Sequence, residues 1–313
     1  MKYIIKKSFT LIITLFIVSL LAFLAFAVIP GDPTTRILGT EATEEAVIAL
    51  REELGLNKPV VQRYIDWLLG FVKGDLGISY SYNMPVEEMI SDKLPITALL
   101  TVISFGLTVL ISIPLGVALS AVKNKGTELA FTSINQVAMS VPAFFIGMII
   151  LYICGNFLKL FVPGGFISPD DIFGGSIYYL LFPAISIAIP RIAMTVKMLR
   201  SSVLSELDKP YVITARSRGK SEAGILFGHV LKNALIPVIT FLAVSAAEIM
   251  TGSIIIEQVF NIPGIGRLLL SSISSRDYPV VQAIVVILAA WIVIVNFVAD
   301  VLYKLVDPRI RIK

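Results

Sequence analysis

The chain has little charge and lacks the residue clusters on which most catalytic and metal sites depend. Only 15% of its 313 residues are charged, against about 25% in soluble domains. Its single cysteine, Cys154, lies in an apolar run, which excludes a disulfide framework. Its single histidine, His229, has no nearby cysteine or carboxylate partners, so we expect no metal site. The sequence also lacks G-x-S-x-G, H-E-x-x-H and paired cysteines, so we expect no catalytic residues.

Apolar sequence is what the chain has in excess. Hydrophobic residues make up 56% of it, and the mean hydropathy is +0.87. Six runs are long enough to cross a bilayer as helices, at about residues 8–29, 97–122, 134–158, 177–199, 234–256 and 280–305. The first run follows lysines, as in a signal peptide, but it is longer than the roughly 7–15 apolar residues of a signal core. We therefore expect an uncleaved first span and an all-α membrane protein with six transmembrane helices.

Basic residues are unevenly distributed between the two sides that six spans would create. One side carries the N-terminal lysines, the loop after residue 122, the loop from 197 to 233 and the basic C-terminus. The other side includes residues 31–96, which hold six Lys or Arg against eleven Asp or Glu. Because cytoplasmic loops are enriched in Lys and Arg, we expect a multi-pass cell-membrane protein with both termini in the cytoplasm.

Residues 31–96 are patterned as a small helical subdomain rather than as a loose loop. Thr43 is placed to cap a first helix that Gly55 ends, a second helix follows Pro59, and a third begins near Pro85. These signals predict a helical extracytoplasmic insertion between spans 1 and 2. The second helix has an apolar face that we expect to pack on the spans or the bilayer surface, made of Tyr64, Ile65, Leu68 and Leu69.

A polar, basic segment at residues 211–237 lies between the fourth and fifth apolar runs. Its Gly219-Lys220-Ser221 is similar to a phosphate-binding loop, but that loop requires a glycine five residues before Gly219, where this chain has Thr214. The spacing predicts instead a short helix over 210–218 with Ala215 on a contact face and with Gly219 at its end. The flanking arginines suit carboxylates on a partner, so the segment is a candidate docking site.

Two ionisable residues lie deep within predicted spans, Arg191 in the fourth and Glu248 in the fifth. Charges inside a bilayer usually face a helix-bundle interior or an aqueous cavity. The two residues therefore either line a polar translocation path or form a structural ion pair between helices.

The segment 253–270 is unusually apolar for a connection outside the membrane. After the fifth span ends, a compact turn is predicted, and apolar residues resume at once. The pattern favours a re-entrant or gate-adjacent turn, with a plain tight connector as the alternative. The turn contains Glu257, Phe260, Pro263, Gly264 and Gly266.

Taken together, these segments resemble one family, the permeases of ABC importers. Residues 211–237 resemble its "EAA" loop, and more closely the T-A-R-x-x-G…H-x-x-x-N-A-L-x-P form of the dipeptide, oligopeptide and nickel branch. The chain departs from the general E-A-A triplet at Ile213 and Thr214. Further motifs resemble the B-type subunit of that branch in the same order, namely Pro30-Gly31-Asp32-Pro33, Gly74-Asp75-Leu76-Gly77, Pro263-Gly264-Ile265-Gly266 and Asp277-Tyr278-Pro279.

The resemblance implies the permease fold of type I ABC importers, called MetI-like, and a subunit that is not itself an enzyme. Residues 1–95 would hold the first transmembrane helix and the extracytoplasmic subdomain, and residues 96–313 a five-helix permease core with a cytoplasmic coupling loop at 200–233. The residues implied in coupling to an ATPase are Tyr211, Thr214, Ala215, Arg216, Arg218 and Gly219.

The resemblance also implies a set of partners. A second, homologous permease subunit would complete a heterodimer, two ATPase subunits would bind ATP and Mg, and an extracytoplasmic binding protein would deliver a short peptide or a nickel or other metal chelate. This chain itself would bind no cofactor and no nucleic acid. A self-contained secondary transporter of a small solute is the alternative, and it would need an ion site near the bilayer midplane.

Overall fold

The protein is mostly helical in the residues that the computed structural model describes, which are 2–28, 34, 38–39, 43–53, 55–122, 124–166 and 175–306. The same residues also contain one isolated antiparallel β-bridge, between Ile78 and Pro85. The predicted motif at 30–33 and the basic C-terminus lie outside the described residues. The helices are α1 Lys2–Val28, α2 Glu44–Glu53, α3 Val60–Lys73, α4 Val86–Ser91, α5 Leu94–Ser120, α6 Lys125–Ser140, α7 Ala143–Ile150, α8 Ile177–Leu207, α9 Pro210–Ser217, α10 Glu222–Ile225, α11 Leu231–Phe260, α12 Ile265–Ser274 and α13 Tyr278–Val306.

The chain forms two compact units. The first contains residues 1–96 and 263–294, and the second contains residues 97–262 and 295–313. In the second unit, α7 continues as a π-helical segment, Leu151–Phe157, and a second π-helical segment, Leu226–Val230, joins α10 to α11.

Among the described residues, five stretches are long and apolar enough to cross a bilayer, and a bent pair of helices makes a sixth if the pair forms one span. The five stretches are Lys6–Phe26, Val86–Ser120, Ile177–Leu207, Glu222–Phe260 and Tyr278–Val301. All five overlap predicted runs, which supports the multi-pass membrane assignment.

The span predicted at 134–158 is not one continuous helix. Two helices, α6 and α7, occupy this region and are bent by 97° relative to each other. Val141, between them, has an extended backbone, because the ring of a following proline disfavours the helical conformation. Pro142 also lacks the N–H that would continue the helical hydrogen bonds. Pro114 and Pro190, by contrast, lie inside continuous helices.

The three short helices predicted within 31–96 are confirmed as α2, α3 and α4. The backbone N–H of Ala46 donates to Thr43 Oγ1 at 3.4 Å, which caps α2. Gly55 follows α2 with φ +64°, and Gly74 ends α3 with φ +91°. Glycine is favoured at both positions because a side chain is strained at positive φ.

The packing face predicted for α3 is only partly right. Tyr64 is buried and contacts α1, but Ile65 is 48% exposed and Leu69 is 55% exposed. Aromatic rings make the contact instead, with Tyr64 and Trp67 lying 5.4 and 6.0 Å from the ring of Phe23 in α1. The apolar arc of α3 is wider than α1 can cover, so part of it stays exposed.

In the second unit, α8 packs on α11 and also on α6 and α7. Gly116 of α5 permits a close approach to α8, since a Cβ there would lie 2.8 Å from Leu199 Cδ2. Small residues let helix backbones approach closely in membranes. The unit thus brings α5, α8 and α11 together around the segment 200–233.

Candidate functional site

The predicted short helix in the basic segment is present as α9. Pro210 occupies its first turn, where a proline costs no hydrogen bond. The helix ends in a left-handed turn, in which Gly219 has φ +74° and donates its N–H to the Arg216 carbonyl at 3.0 Å. The requirement for glycine at position 219 is therefore a backbone requirement, as the spacing predicted.

The inner face of α9 is part of the protein's own core. Val212 is fully buried and Ala215 is 9% exposed. Both belong to an apolar cluster whose other buried members come mainly from α8, α11 and the segment that joins α10 to α11, namely Val117, Leu199, Val203, Ile225, Val230, Ala234, Val238 and Leu242. Ala215 thus faces the core of this chain. The prediction that it lies on a face that contacts a partner is not supported by this orientation.

Polar contacts fix α9 to the ends of its two neighbouring helices. The Tyr211 hydroxyl donates to Glu206 Oε2 at 2.8 Å, and Asn233 Nδ2 donates to the Tyr211 hydroxyl oxygen at 3.3 Å. Partial burial raises the pKa of Tyr211, and the contact with Glu206 adds to this. Glu206 lies in α8 and Asn233 in α11, so Tyr211 joins three helices.

Two arginines are predicted to contact a partner protein, and one of them, Arg216, already forms an ion pair within this chain. Arg216 makes a two-pronged contact with Glu222, at 2.7 and 3.0 Å. This hydrogen bonding raises the pKa of the guanidinium. Arg218 is exposed, and no ion pair is found for it among the described residues.

The outer face of α9 is exposed and mixed in character. Ile213 is 59% exposed, and Thr214 and Ser217 are also exposed. This face therefore offers a partner one aliphatic group, Ile213, and one cationic group, Arg218. Sequence reasoning did not assign Ile213 to this surface, although its place on the face opposite Val212 and Ala215 is a usable signal.

Arg191 and Glu248 are brought together as an ion pair between α8 and α11. Their side chains are 25% and 51% exposed, respectively. Glu248 belongs to an exposed stripe at helical spacing on α11, formed by Val244, Glu248, Gly252 and Ile255. A half-exposed carboxylate near the middle of an apolar helix is costly against lipid, so this face of α11 suits a polar space or another protein.

The prediction that Glu257 and Phe260 lie in a turn after the fifth span is wrong, because both belong to the last turns of α11, which are packed within the second unit. Glu257 is fully buried, and the Thr97 hydroxyl donates to its Oε1 at 2.6 Å. Phe260 is also fully buried, and its carbonyl accepts a hydrogen bond from the Tyr179 hydroxyl at 2.6 Å. Asn261 then reverses the chain with φ +56°.

The rest of this predicted turn belongs to the first unit. Gly264 precedes α12 in an extended conformation, and its carbonyl accepts a hydrogen bond from Leu268 N at 3.2 Å. Gly266 is buried in the first turn of α12. Pro263 precedes both, so the Pro-Gly-Ile-Gly sequence serves as the start of a helix.

Asp277 is a buried structural residue whose contacts the sequence did not predict. It is fully buried. Its carboxylate accepts hydrogen bonds from the Ser79 hydroxyl at 2.5 Å, from Tyr80 N at 3.0 Å and from Ser81 N at 3.3 Å. It therefore holds the loop 77–85 against the start of α13. An aspartate directly before a helix start is a signal for a cap, but not for a contact this distant in sequence.

Comparison with known proteins adds evidence over the whole chain. Residues 112–312 match the family of binding-protein-dependent transport system inner membrane components, and residues 1–101 match the N-terminal family of such membrane components. The oligopeptide transport system permease AppB of Bacillus subtilis is 35% identical over 312 residues, or 99% of each chain. The glutathione transport system permease GsiC of Escherichia coli is 33% identical over 313 residues, or 100% of each. The Sinorhizobium fredii protein y4tP, named as a probable peptide ABC transporter permease, is 34% identical over 310 residues, or 99% of each.

Proposed function

Because the chain belongs to the family of binding-protein-dependent transport system inner membrane components, we propose that it is the permease subunit of an ATP-driven importer of short peptides. The observation that carries this proposal is similarity over the full length to relatives named for transport of peptides, oligopeptides and glutathione. Glutathione is itself a peptide of three residues, so the named cargoes share one chemistry. A secondary transporter is not favoured by these relatives.

The proposed importer needs several partners. Two ATPase subunits bind ATP and Mg and dock on the cytoplasmic side, an extracytoplasmic binding protein delivers the peptide, and a second, homologous permease completes the pathway as a heterodimer. The uneven distribution of Lys and Arg supports cytoplasmic termini and a cytoplasmic α9. Cysteine labelling tests this orientation in a Cys154→Ala background: an impermeant reagent applied outside should reach Glu52→Cys and not Ser217→Cys. Equal labelling of the two positions would contradict the topology.

Coupling in this proposal runs from α9 to the membrane helices. The outer face of α9, with Ile213 and Arg218, meets the ATPase, while the inner face is fixed to α8 and α11 by Val212, Ala215 and Tyr211. A short helix held on both sides moves as a rigid body with its neighbours. Displacement of α9 is therefore passed to the helices that carry Arg191 and Glu248.

The ion pair between Arg191 and Glu248 is the proposed polar element of the translocation path. Its exposure on α8 and α11 supports this role, because a face turned to lipid would disfavour Glu248. The pair presents both charges at one place, as suits a zwitterionic peptide. Glu257 and Phe260, packed at the outer end of α11, and Pro263, Gly264 and Gly266, which follow, are proposed to support the external gate.

The test of coupling uses substitutions on the outer face of α9. Ile213→Asp and Arg218→Glu should reduce co-purification of the ATPase subunits and peptide uptake, while the permease remains at normal abundance because neither side chain contributes to the core. Lys125→Glu is the matched control, since it reverses an exposed charge at the start of α6 on the same proposed side. If both α9 variants bind ATPase and transport peptide like the control, α9 is not the coupling helix.

A further inference from the structure

An exposed apolar stripe runs along α3. Val61 is 70%, Ile65 48%, Leu69 55% and Val72 78% exposed. These residues follow one another at three- and four-residue spacing, so they lie on one side of the helix. Four exposed aliphatic side chains in a continuous stripe are more than the single surface apolar residues that soluble surfaces carry.

The side chain of Tyr64 reaches from α3 into the first span. The Tyr64 hydroxyl bonds the Ser19 hydroxyl at 2.8 Å, and the Tyr64 ring lies 5.9 Å from the ring of Phe16 and 5.4 Å from that of Phe23. Ser19 stands near the centre of the apolar run 8–29. Even Phe23 lies about 9 Å inside the outer end of that run, at 1.5 Å per residue. The side of α3 that faces α1 is therefore at the depth of the hydrocarbon layer.

The remaining faces of α3 fit a helix lying in the plane of the membrane surface. Gln62, Asp66 and Lys73 cluster on the side opposite Tyr64, where they border the stripe, and Asp66 pairs with Lys58 at 2.7 Å. A helix with one broad apolar face and one charged face lies in the interface, with its apolar side about 5–10 Å into the acyl region. We propose that α3 is such an in-plane helix and that acyl chains of the outer leaflet cover its stripe.

Lipid is favoured as the occupant because the stripe continues a surface that is already exposed on a membrane span. Phe16 of α1 contacts Tyr64 and is itself 49% exposed. On the surface of α3, half-buried Leu68 lies between Tyr64 and the stripe. The exposed flank of α1 continues toward the cytoplasmic end through Ile12, which is 63% exposed. The assignment of the stripe to the outer leaflet depends on the proposed topology. The depth of α3 depends only on its contacts with α1.

The test is spin-label accessibility in nanodiscs that contain this chain with its co-expressed partner subunits. Single cysteines at Ile65, Leu69 and Val72 are compared with Gln62 as the water reference and Ile12 as the lipid reference, all in a Cys154→Ala background. We expect an oxygen-to-nickel collision ratio at the stripe that matches Ile12 and exceeds Gln62 several-fold. These side chains are exposed, so the labels need not disturb packing.

Two results would overturn the proposal. A stripe ratio equal to that of Gln62 would mean that the stripe is solvated, and low collision rates with both reagents would mean that a protein partner covers it. Neither result bears on peptide import itself. ATPase co-purification and peptide uptake by the same preparations would report on the proposed function independently.

Discussion

Replacing Asp277 by asparagine should loosen the loop 77–85 while changing the shape of the buried side chain very little. The wild-type carboxylate has two acceptor oxygens and receives three hydrogen bonds, two of them from the backbone N–H groups of Tyr80 and Ser81. The asparagine amide has a single acceptor oxygen, and its NH2 group can only donate. In either orientation of the amide, at least one backbone N–H loses its acceptor.

The expected magnitude follows from this count. A hydrogen bond to a charged group contributes about 1.5–3 kcal/mol, and a buried donor without an acceptor costs about 1–3 kcal/mol. The Ser79 hydroxyl can turn to accept from the amide, which offsets part of the loss. We therefore expect the free energy of opening the loop to fall by about 2–3 kcal/mol, which raises the open fraction about 30- to 150-fold.

Alkylation of a buried reporter measures that opening. Leu76 is 9% exposed and directly precedes the loop, so Leu76→Cys in a Cys154→Ala background should react at a rate set by local opening. Adding Asp277→Asn should raise this rate by the factor above. Asp75→Asn is the matched control, since Asp75 is exposed and accepts one hydrogen bond from Gly77 N at 3.0 Å. Rates for Asp277→Asn within twofold of wild type would refute the assignment of Asp277 as the residue that holds the loop.

Three other outcomes are expected. A Cβ at Gly219 meets no atom within 4 Å, so Gly219→Val should cost about 1–2 kcal/mol through backbone strain alone and reduce uptake, while Gly219→Asn retains most of it. Neutralising Arg191 or Glu248 to glutamine should reduce peptide uptake at unchanged subunit abundance, and a loss of abundance instead would indicate a structural pair. Burial raises the pKa of Tyr80, opposed in part by Arg63, so the folded state keeps a neutral phenol. Folding stability should then fall as pH rises from about 10 through the raised pKa. Ultraviolet titration of wild type against Tyr80→Phe measures the ionisation of this phenol and should place it above the ordinary tyrosine pKa.

Local signals in the sequence were enough to place most helices. Thr43 and Gly55 bracket α2, and Pro210 and Gly219 bracket α9, because capping and positive φ depend on a few neighbouring residues. Long apolar runs predicted the candidate spans for the same reason, since hydropathy is a property of the run itself.

Outcomes that depend on distant residues could not be predicted in the same way. Pro142 accompanies a break, whereas Pro190 does not interrupt its helix, so a proline within an apolar run does not by itself predict where a helix breaks. The partners of Asp277 lie almost two hundred residues earlier in the chain. The apolar arc of α3 is visible in the sequence, but which half of it meets α1 is decided by the rings of Tyr64 and Trp67.

The two faces of α9 require two different experiments. Ala215→Glu would place a carboxylate in a core position that is 9% exposed and belongs to the same apolar cluster as Leu199 and Val203. Burying that charge without a partner costs more than about 3 kcal/mol, so we expect subunit abundance and ATPase binding to fall together. Ile213→Asp, on the exposed face, should lower ATPase binding at normal abundance. Loss of binding in Ala215→Glu is therefore evidence about docking only if abundance is unchanged, and unchanged abundance would itself contradict the inward orientation of Ala215.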